Sequence, residues 1–331
     1  MKYGTDEFFE YLYKETQTVK TLLNCSDDEL HNLLELKRGL LSEVLGVERL
    51  CKIEHKVEVV AVSAEKKEGY AVEAYDANLL PGLTVPLYLL IPEAPNGKSI
   101  LYCHGHDDKG CRASFEPELK QAYHKTIPLE MVKRGYTVAV PEFVGYGPIK
   151  KYQFDPPSDQ ACYANSALLL LHGMTLSGLR VFEAIKVIDW MLEEKKLSKP
   201  MAFGISGGGQ VVSYLGALEE RLSASAVSSF GNTFRHSIMA MHHCIDNYIP
   251  GLLNIGECPE IMALTLPKPL FLTNGRKDHI FPLAGTNQAI EEIGAIYKRF
   301  GVQDRFSFEV FEGGHEISFD EVFDFFEGIA L

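Results

Sequence analysis

A glycine-rich turn between an apolar segment and a predicted helix constrains this chain more than any other feature. Residues 200–210, PMAFGISGGGQ, contain the pattern Gly-x-Ser-x-Gly centred on Ser206. A strand that reverses sharply into a helix leaves little room for side chains beside the turn residue, which accounts for the flanking glycines. The serine then lies at the carboxyl end of a buried strand, where the free N–H groups of the helix point towards it. The pattern predicts a nucleophilic serine; the alternative is an ordinary glycine-rich turn.

An acid and a histidine later in the chain favour the first interpretation. Asp278 and His315 each follow directly after a predicted strand. The carboxyl ends of parallel strands meet at one edge of a sheet, so we expect these side chains to converge on Ser206. A serine hydroxyl needs an adjacent base, and the base needs a third group that orients it. We predict Ser206 as the nucleophile, His315 as general base and acid, and Asp278 as the orienting group. Two alternatives stay open: Asp278 as a turn residue and His279 as the base.

The predicted nucleophile also requires two N–H donors for the negative charge that develops on an acyl oxygen. Gly207 follows the serine and should supply one donor from its backbone. The second donor is expected in the loop after the apolar strand that ends at Cys103, from the backbone N–H of His106 or its neighbour. His104 and His106 have two other interpretations, as turn residues or as zinc ligands. Local spacing provides no third ligand, so we predict no metal there.

Further candidates for the substrate pocket are polar residues that follow these strands. His104 is one and Glu142 is another; for Glu142, a pocket-side hydrogen bond and a structural salt bridge are equally compatible with the sequence. The run His242-His243-Cys244 suggests a metal cluster, but neighbouring histidines on a regular element point in different directions. We therefore predict no metal and a pocket-lining role for His243, and we leave the roles of His242 and Cys244 open.

Two segments interrupt the alternation of strands and helices near the predicted active edge, residues 147–175 and 234–259. We predict that they shape the pockets for the acyl group and the leaving group through an apolar inner face; the alternative is structural filler. The side chains expected on that face are Tyr152, Phe154, Tyr163, Met239, Met241, Tyr248 and Leu252.

The composition narrows the possible partners and compartments. The chain has 331 residues, 46% of them hydrophobic and 23% charged, and a net charge of -13, which disfavours nucleic acid and anionic membranes as partners. The seven cysteines are widely spaced and include no C-x-x-C pair, as expected for free thiols. We find no secretion signal, and no apolar run reaches the roughly 18 residues that span a bilayer. We expect a soluble, cytoplasmic protein of undetermined oligomeric state.

The order of predicted elements indicates two parts. Residues 1–50 form a helical extension that we expect to pack on the core, with a capping box formed by Ser26 and Glu29 before one of its helices. Residues 51–331 form the catalytic domain. Its strands alternate with helices from residue 99 onwards, which predicts an α/β fold with a mainly parallel sheet covered on both faces. The predicted strands cover residues 57–62, 70–75, 85–92, 99–103, 136–141, 200–205, 224–227, 269–273 and 306–310.

From Val57 onwards the chain resembles the α/β-hydrolases, and within them the bacterial proteins related to dienelactone hydrolases and acetyl xylan esterases. The matching motifs are HGH (104–106), PEFVGYG (141–147), GISGGG (204–209), NYIPGLL (247–253), PKPL (267–270) with NGRKD (274–278), and GGH (313–315). The resemblance implies an eight-stranded α/β-hydrolase sheet, a serine triad and hydrolysis of short-chain carboxylic esters without a cofactor, on a small-molecule substrate. Dienelactone hydrolases have a cysteine at the position of Ser206, so dienelactone is not the expected substrate. Short acetylated carbohydrates fit a cytoplasmic enzyme better than polymeric xylan does.

Other functions on the same fold stay open at this point. A peptidase or amidase of the prolyl-oligopeptidase kind shares the core, but this chain lacks the long repeated β-region that gates peptides in that group. An acyltransferase, in which another hydroxyl replaces water, uses the same residues. A non-catalytic binding protein usually loses a member of the triad, and here Ser206, Asp278 and His315 are all present. A carboxylic ester hydrolase of the acetyl esterase kind is the leading hypothesis.

Overall fold

A nine-stranded sheet organises the chain in a computed structural model, which describes residues 4–16, 19–119, 123–149 and 161–330. The strands are β1 (Glu58–Lys67), β2 (Tyr70–Leu80), β3 (Leu83–Pro92), β4 (Ser99–Cys103), β5 (Thr137–Pro141), β6 (Met201–Ile205), β7 (Ala224–Ser228), β8 (Leu270–Gly275) and β9 (Phe306–Phe311). The helices are α1 (Asp6–Thr16), α2 (Leu30–Leu45), α3 (Val47–Cys51), α4 (Ile127–Lys133), α5 (Ala161–Leu171), α6 (Leu176–Glu193), α7 (Gly207–Leu218), α8 (Cys258–Ala263), α9 (Leu283–Arg299) and α10 (Asp320–Gly328).

The spatial order of the strands is β1-β2-β3-β5-β4-β6-β7-β8-β9. β1 to β3 form antiparallel hairpins, and β3 also pairs antiparallel with β5. From β5 to β9 every neighbouring pair is parallel. The strands β4 to β7 are buried along their whole length, as a parallel sheet covered by helices on both faces requires. The carboxyl ends of the parallel strands share one edge, and the predicted triad residues follow three of these ends.

Alternating side chains of the central strands enter two separate cores. In β4, Leu101 and Cys103 belong to the core that contains residues of α2, α6, α7, α8 and α9. Ile100 and Tyr102 of the same strand point the other way, into the core that contains residues of α4 and α10. Because side chains alternate along a strand, the sheet separates these two sets of helices.

The N-terminal helices differ in how deeply they pack. Leu34 and Leu41 of α2 are buried in the first of the two cores. Lys37, also buried, lies with its Nζ 3.0 Å from Glu260 Oε1 of α8. A buried charge of this kind requires a partner, and Glu260 supplies one. α1, by contrast, buries none of its residues.

Two expectations about local structure are wrong in part. The resemblance implied eight strands, whereas the sheet has nine, because residues 58–67 extend its antiparallel edge by a further hairpin strand. The predicted capping box forms only by half. Glu29 Oε2 accepts the Ser26 N–H at 3.3 Å, but α2 begins at Leu30, and Glu29 at its N-cap makes no side-chain capping bond. The Ser26 hydroxyl bonds the Glu29 carboxylate instead, so it cannot serve the helix.

Helix α6 runs through the interior, and its residues 176–184 are all buried. Among the described residues, no single helix is long and apolar enough to cross a membrane. α5 and α6 meet the criteria of length and composition only when taken together, and the two are bent by 93° at the break between them.

Glu183 of α6 is a buried carboxyl group with little to compensate its burial. Its Oε2 accepts the Val144 N–H at 3.4 Å, and its Oε1 has no hydrogen-bond partner within the described part of the chain. Burial raises the pKa of Glu183 to about 8, with Arg180 opposing this shift and Glu142 adding to it. The group is therefore neutral in the folded protein at neutral pH.

Replacing Glu183 with glutamine should make the free energy of unfolding less dependent on pH. Between about pH 5 and pH 8 the folded protein keeps a proton on Glu183 that the unfolded chain has released. The contribution of Glu183 to stability therefore falls as the pH rises through this window, by up to about 1.4 kcal/mol per unit. Urea unfolding at several pH values measures the slope, and Glu193→Gln, at an exposed position of the same helix, is the control. Equal slopes for Glu183→Gln and the wild type would contradict the expectation.

Candidate active site

Ser206 occupies the turn between β6 and α7 in a backbone conformation that side chains rarely adopt, with φ 56° and ψ -120°. Its backbone N–H donates to Ser228 O of β7 at 2.9 Å. A Cβ atom at Gly204 would lie 2.2 Å from Gly208 O, and one at Gly208 would lie 1.9 Å from Cys103 O of β4. The turn therefore requires glycine at both positions. It places Ser206 next to the first N–H groups of α7, at the positive end of the helix dipole.

Asp278 and His315 form a hydrogen-bonded pair at the same edge of the sheet. His315 Nδ1 lies 2.9 Å from Asp278 Oδ2. Asp278 Oδ1 accepts the backbone N–H groups of Ile280 at 2.9 Å and Phe281 at 3.0 Å. Burial would raise the pKa of Asp278, but His315 and these two N–H groups hold it below its usual value. A carboxylate at Nδ1 places the proton there and leaves His315 Nε2 as the acceptor. His279, the alternative base, is exposed.

Tyr123 links this pair to the nucleophile turn. Its ring centroid is 5.9 Å from that of His315. Its hydroxyl donates to His106 O in the loop after β4. The same hydroxyl lies 2.9 Å from the position that a Cβ atom would take at Gly105, and that position is 3.3 Å from Ser206 Cβ. Tyr123 therefore lies between His315 and the loop after β4 that passes beside Ser206.

Gly207, the predicted first oxyanion donor, is the first residue of α7. A Cβ atom there would lie 2.4 Å from Tyr146 OH and 2.9 Å from His106 Nδ1. Only glycine leaves room for both rings beside the nucleophile. His106 therefore approaches the start of α7 with its imidazole, whereas the sequence pointed to its backbone N–H.

A buried arginine fixes the position of both rings. Arg180 of α6 donates from Nη1 to Tyr146 OH at 2.8 Å and to Asp246 Oδ2 at 2.5 Å, and from Nε to Val144 O at 2.9 Å. Asp246 Oδ2 also lies 3.0 Å from His106 Nε2. Burial disfavours a charged imidazole, but the Asp246 carboxylate raises the pKa of His106 to about 9. Burial would raise the pKa of Asp246 as well, yet His106 and Arg180 hold it far below its usual range.

His104 and Glu142, both predicted as pocket residues, form a buried pair instead. His104 Nε2 lies 3.0 Å from Glu142 Oε1, and the two side chains are 0% and 1% exposed. Glu142 Oε2 accepts the Cys111 N–H at 3.0 Å. Burial would raise the pKa of Glu142, but His104 and the backbone N–H groups lower it. Neither residue lines the cavity that opens beside His106 and Tyr146. Glycines at 110 and 147 let the surrounding loops close over the Glu142 carboxylate. Of the two interpretations of Glu142, a pocket-side hydrogen bond and a structural salt bridge, the structure has the salt bridge.

A cavity of about 890 Å³ opens beside His106 and Tyr146, a volume typical of small-molecule sites. Its walls come from the loops after β4 and β5, from α5 and from the segment between β7 and α8. The lining residues are His106, Asp107, Asp108, Tyr123, Gly145, Tyr146, Ala161, Cys162, Tyr163, His242, His243, Cys244, Ile245 and Tyr248.

The predicted pocket-lining residues fall into three groups. Tyr163, His243 and Tyr248 line this cavity. Met239, Met241 and Leu252 do not, and Leu252 is buried in the hydrophobic core. Tyr152 and Phe154 lie outside the described residues. Both predicted insertions therefore contribute to the cavity, and Tyr163 and Tyr248 of the expected inner face lie in its wall together with histidine and cysteine side chains that were not expected on that face.

Several residues of this site were not predicted from the sequence. Arg180 and Asp246 are 66 positions apart and meet only in the folded chain. Two local signals were available: Tyr146 lies within the PEFVGYG motif, and Asp246 immediately precedes NYIPGLL. Cys162 and Tyr123 lie in no motif.

Comparison with known proteins places the chain in a family. The sequence profile of the Abhydrolase family matches residues 26–307, so the chain belongs to this family of α/β-hydrolases. No curated protein matches it.

Solved structures with the same fold include several esterases. A Bacteroides fragilis protein assigned as an acetyl xylan esterase is 18% identical, with a TM-score of 0.74, over 92% of this chain and 81% of the other. A methylesterase is 18% identical, with a TM-score of 0.69, over 97% and 68%. A glucuronoyl esterase from Solibacter usitatus is 14% identical, with a TM-score of 0.64, over 87% and 91%. The predicted α/β-hydrolase fold, with a mostly parallel sheet flanked by helices, is confirmed.

Proposed function

We propose that this protein is a serine hydrolase that cleaves short-chain carboxylic esters through an acyl-enzyme intermediate. The positive φ of Ser206 is the observation that supports this most directly. Such strain costs about 1–3 kcal/mol for a residue with a side chain, and a purely structural turn avoids it by using glycine. The paired His315 and Asp278, at the same sheet edge, supply the base that a serine nucleophile needs.

The proposed reaction assigns one task to each group. Ser206 Oγ attacks the acyl carbon while His315 Nε2 accepts its proton, and Asp278 stabilises the resulting imidazolium. The backbone N–H groups of Gly207 and His106 receive the negative charge of the carbonyl oxygen. His315 then protonates the leaving alkoxide. A water molecule, activated by the same histidine, releases the acid from Ser206.

The proposed substrate is a small polar ester, with acetylated carbohydrates as the favoured class. The lining of the cavity does not include Ser206 or His315, but the cavity adjoins them through Tyr123, whose ring lies beside His315. Its volume suits a sugar-sized molecule, and its wall includes His242, His243 and Asp108, with Tyr163 and Tyr248 as flat surfaces. Three structures with the same fold are named as acetyl xylan, methyl and glucuronoyl esterases, which all act on esters.

The test combines a substrate panel with covalent labelling. p-Nitrophenyl acetate, butyrate and octanoate should be hydrolysed with decreasing kcat/KM, and a peracetylated monosaccharide should release acetate. A fluorophosphonate should block this activity and add one label to the peptide that contains Ser206, while heat-unfolded protein stays unlabelled. Absence of both hydrolysis and labelling in folded protein would refute the proposal.

Two further assays separate the alternatives on the same fold. Hydrolysis of dipeptide amides at a rate above that of acetate esters would favour a peptidase. Transfer of the acyl group to an added alcohol in preference to water would favour an acyltransferase.

A further inference from the structure

Four metal-binding side chains from three segments of the chain converge at one wall of the cavity. His106 follows β4, Cys162 lies in the first turn of α5, and Cys244 and Asp246 lie between β7 and α8. One donor atom of each lies within 4.8 Å of the donor atoms of the other three. In a tetrahedral zinc site, bond lengths of about 2.0–2.3 Å place the donors roughly 3.3–3.8 Å apart. The four groups therefore need only a small closure to surround one ion.

The donor types fit zinc in particular. Two thiols, an imidazole and a carboxylate offer the sulfur, nitrogen and oxygen ligands that Zn²⁺ accepts in four-coordinate sites. His106 Nε2 is buried and lies 3.0 Å from Asp246 Oδ2, but the two are not aligned for a hydrogen bond. Its Nδ1 lies 3.4 Å from Tyr146 OH. This leaves Nε2 directed at the other donors while the second ring nitrogen is held from outside, as in most histidine ligands of metals.

The surrounding charge supports a dication with thiolate ligands. Two thiolates, one carboxylate and Zn²⁺ sum to one negative charge, which a buried site must balance. The buried Arg180 guanidinium does so: Nη1 is 2.5 Å from Asp246 Oδ2, and Nη2 donates to Cys162 Sγ at 3.3 Å. An N–H donor to a ligating sulfur or oxygen orients the ligand without occupying the metal.

We propose that His106, Cys162, Cys244 and Asp246 bind a zinc ion that ties α5 and the segment before α8 to the loop after β4. The proposal departs from the sequence-based expectation that the chain binds no metal. Of the run His242-His243-Cys244, only the cysteine takes part; His243 Nε2 lies 3.1 Å from Ser237 Oγ instead. Binding releases one proton from each thiol and the proton that His106 carries beside Asp246. Four protein ligands leave no open position, so the ion is structural.

Cobalt substitution tests the site without reference to enzymatic activity. Metal-free protein, reduced and freed of reductant, is titrated with Co²⁺. We expect a thiolate-to-cobalt charge-transfer band that saturates at one equivalent and is abolished by one equivalent of Zn²⁺. Cys51→Ser, which removes an exposed thiol on α3, should behave as the wild type. Cys162→Ser and Cys244→Ser should each weaken zinc binding at least 10-fold, and the double variant should show no band.

Thermal unfolding gives a second readout. Zn²⁺ should raise Tm for the wild type and Cys51→Ser, because a ligand that binds only the folded state stabilises it, and should leave Tm of the double variant unchanged. Absence of the cobalt band in the wild type would overturn the proposal whether or not the variants fold. A band that persists in a folded double variant would overturn it as well, and so would a disulfide between Cys162 and Cys244 that forms again once the reductant is removed and metal is present.

Discussion

Ser206→Ala should lower kcat for p-nitrophenyl acetate by roughly 10⁵- to 10⁶-fold, the loss expected when the nucleophile of a serine triad is removed. The variant should keep the wild-type fold, because the side chain of Ser206 contributes chemistry rather than packing to the turn. Ester hydrolysis at matched protein concentration, with circular dichroism and urea unfolding as checks on folding, measures both effects. Ser213→Ala, which removes a buried hydroxyl of α7 bonded to Gly209 O, is the control and should keep its activity.

A second substitution at the same position separates catalysis from backbone strain. Ser206→Gly should be equally inactive but more stable than the wild type by about 1 kcal/mol, because glycine adopts a positive φ without steric cost. Asp278→Asn should retain more activity than either variant, with kcat about 10⁴-fold below wild type, since it leaves the nucleophile in place but no longer holds the correct tautomer of His315. Activity in Ser206→Ala near that of the wild type would exclude Ser206 as the nucleophile.

Gly208→Ala should prevent the chain from folding stably, with a loss of more than about 4 kcal/mol from a total that rarely exceeds 15 kcal/mol. The added Cβ atom would lie 1.9 Å from Cys103 O, 2.5 Å from Cys103 C and 2.6 Å from His104 O. These are backbone atoms at the end of β4, which is paired on both sides with β5 and β6. No flexible side chain can move aside, so either α7 or the centre of the sheet must shift.

Soluble yield and the midpoint of urea unfolding measure this effect. Gly39→Ala in α2 is the matched control, because a Cβ atom there meets no other atom within 4 Å. It should raise the free energy of unfolding by about 0.5–1 kcal/mol, as expected for alanine in place of glycine inside a helix. A Gly208→Ala variant that unfolds at the wild-type midpoint would show that the turn has an alternative packing.

The parts of the site that the sequence predicted are those encoded by neighbouring residues. A glycine pattern around Ser206, and a polar residue directly after each of two strands, were sufficient to place three side chains at one edge. The mainly parallel sheet covered on both faces follows from the alternation of strands with helices, whereas the order of the strands was not predicted. The additional edge strand, β1, was predicted from the apolar segment at residues 57–62. Only the resemblance to the α/β-hydrolases suggested a sheet of eight strands.

What the sequence did not predict depends on contacts between distant segments. Arg180 lies on α6, and no neighbouring residue suggests that its guanidinium is buried and meets Asp246. His104 and Glu142 looked like pocket residues because each follows a strand. Their pairing depends on loops that fold back through glycines at 110 and 147, and local patterns do not record such a closure.

The buried Arg180 has a consequence for anyone who wants to redesign this protein. One guanidinium bonds the loop after β5 through Val144 and Tyr146, helix α5 through Cys162, and the segment before α8 through Asp246. Three walls of the cavity are thus held by hydrogen bonds to a single side chain. Variation aimed at new substrates will be tolerated where side chains only face the cavity, as at Tyr163 and Tyr248, whereas a change at Arg180 will affect three of its walls at once.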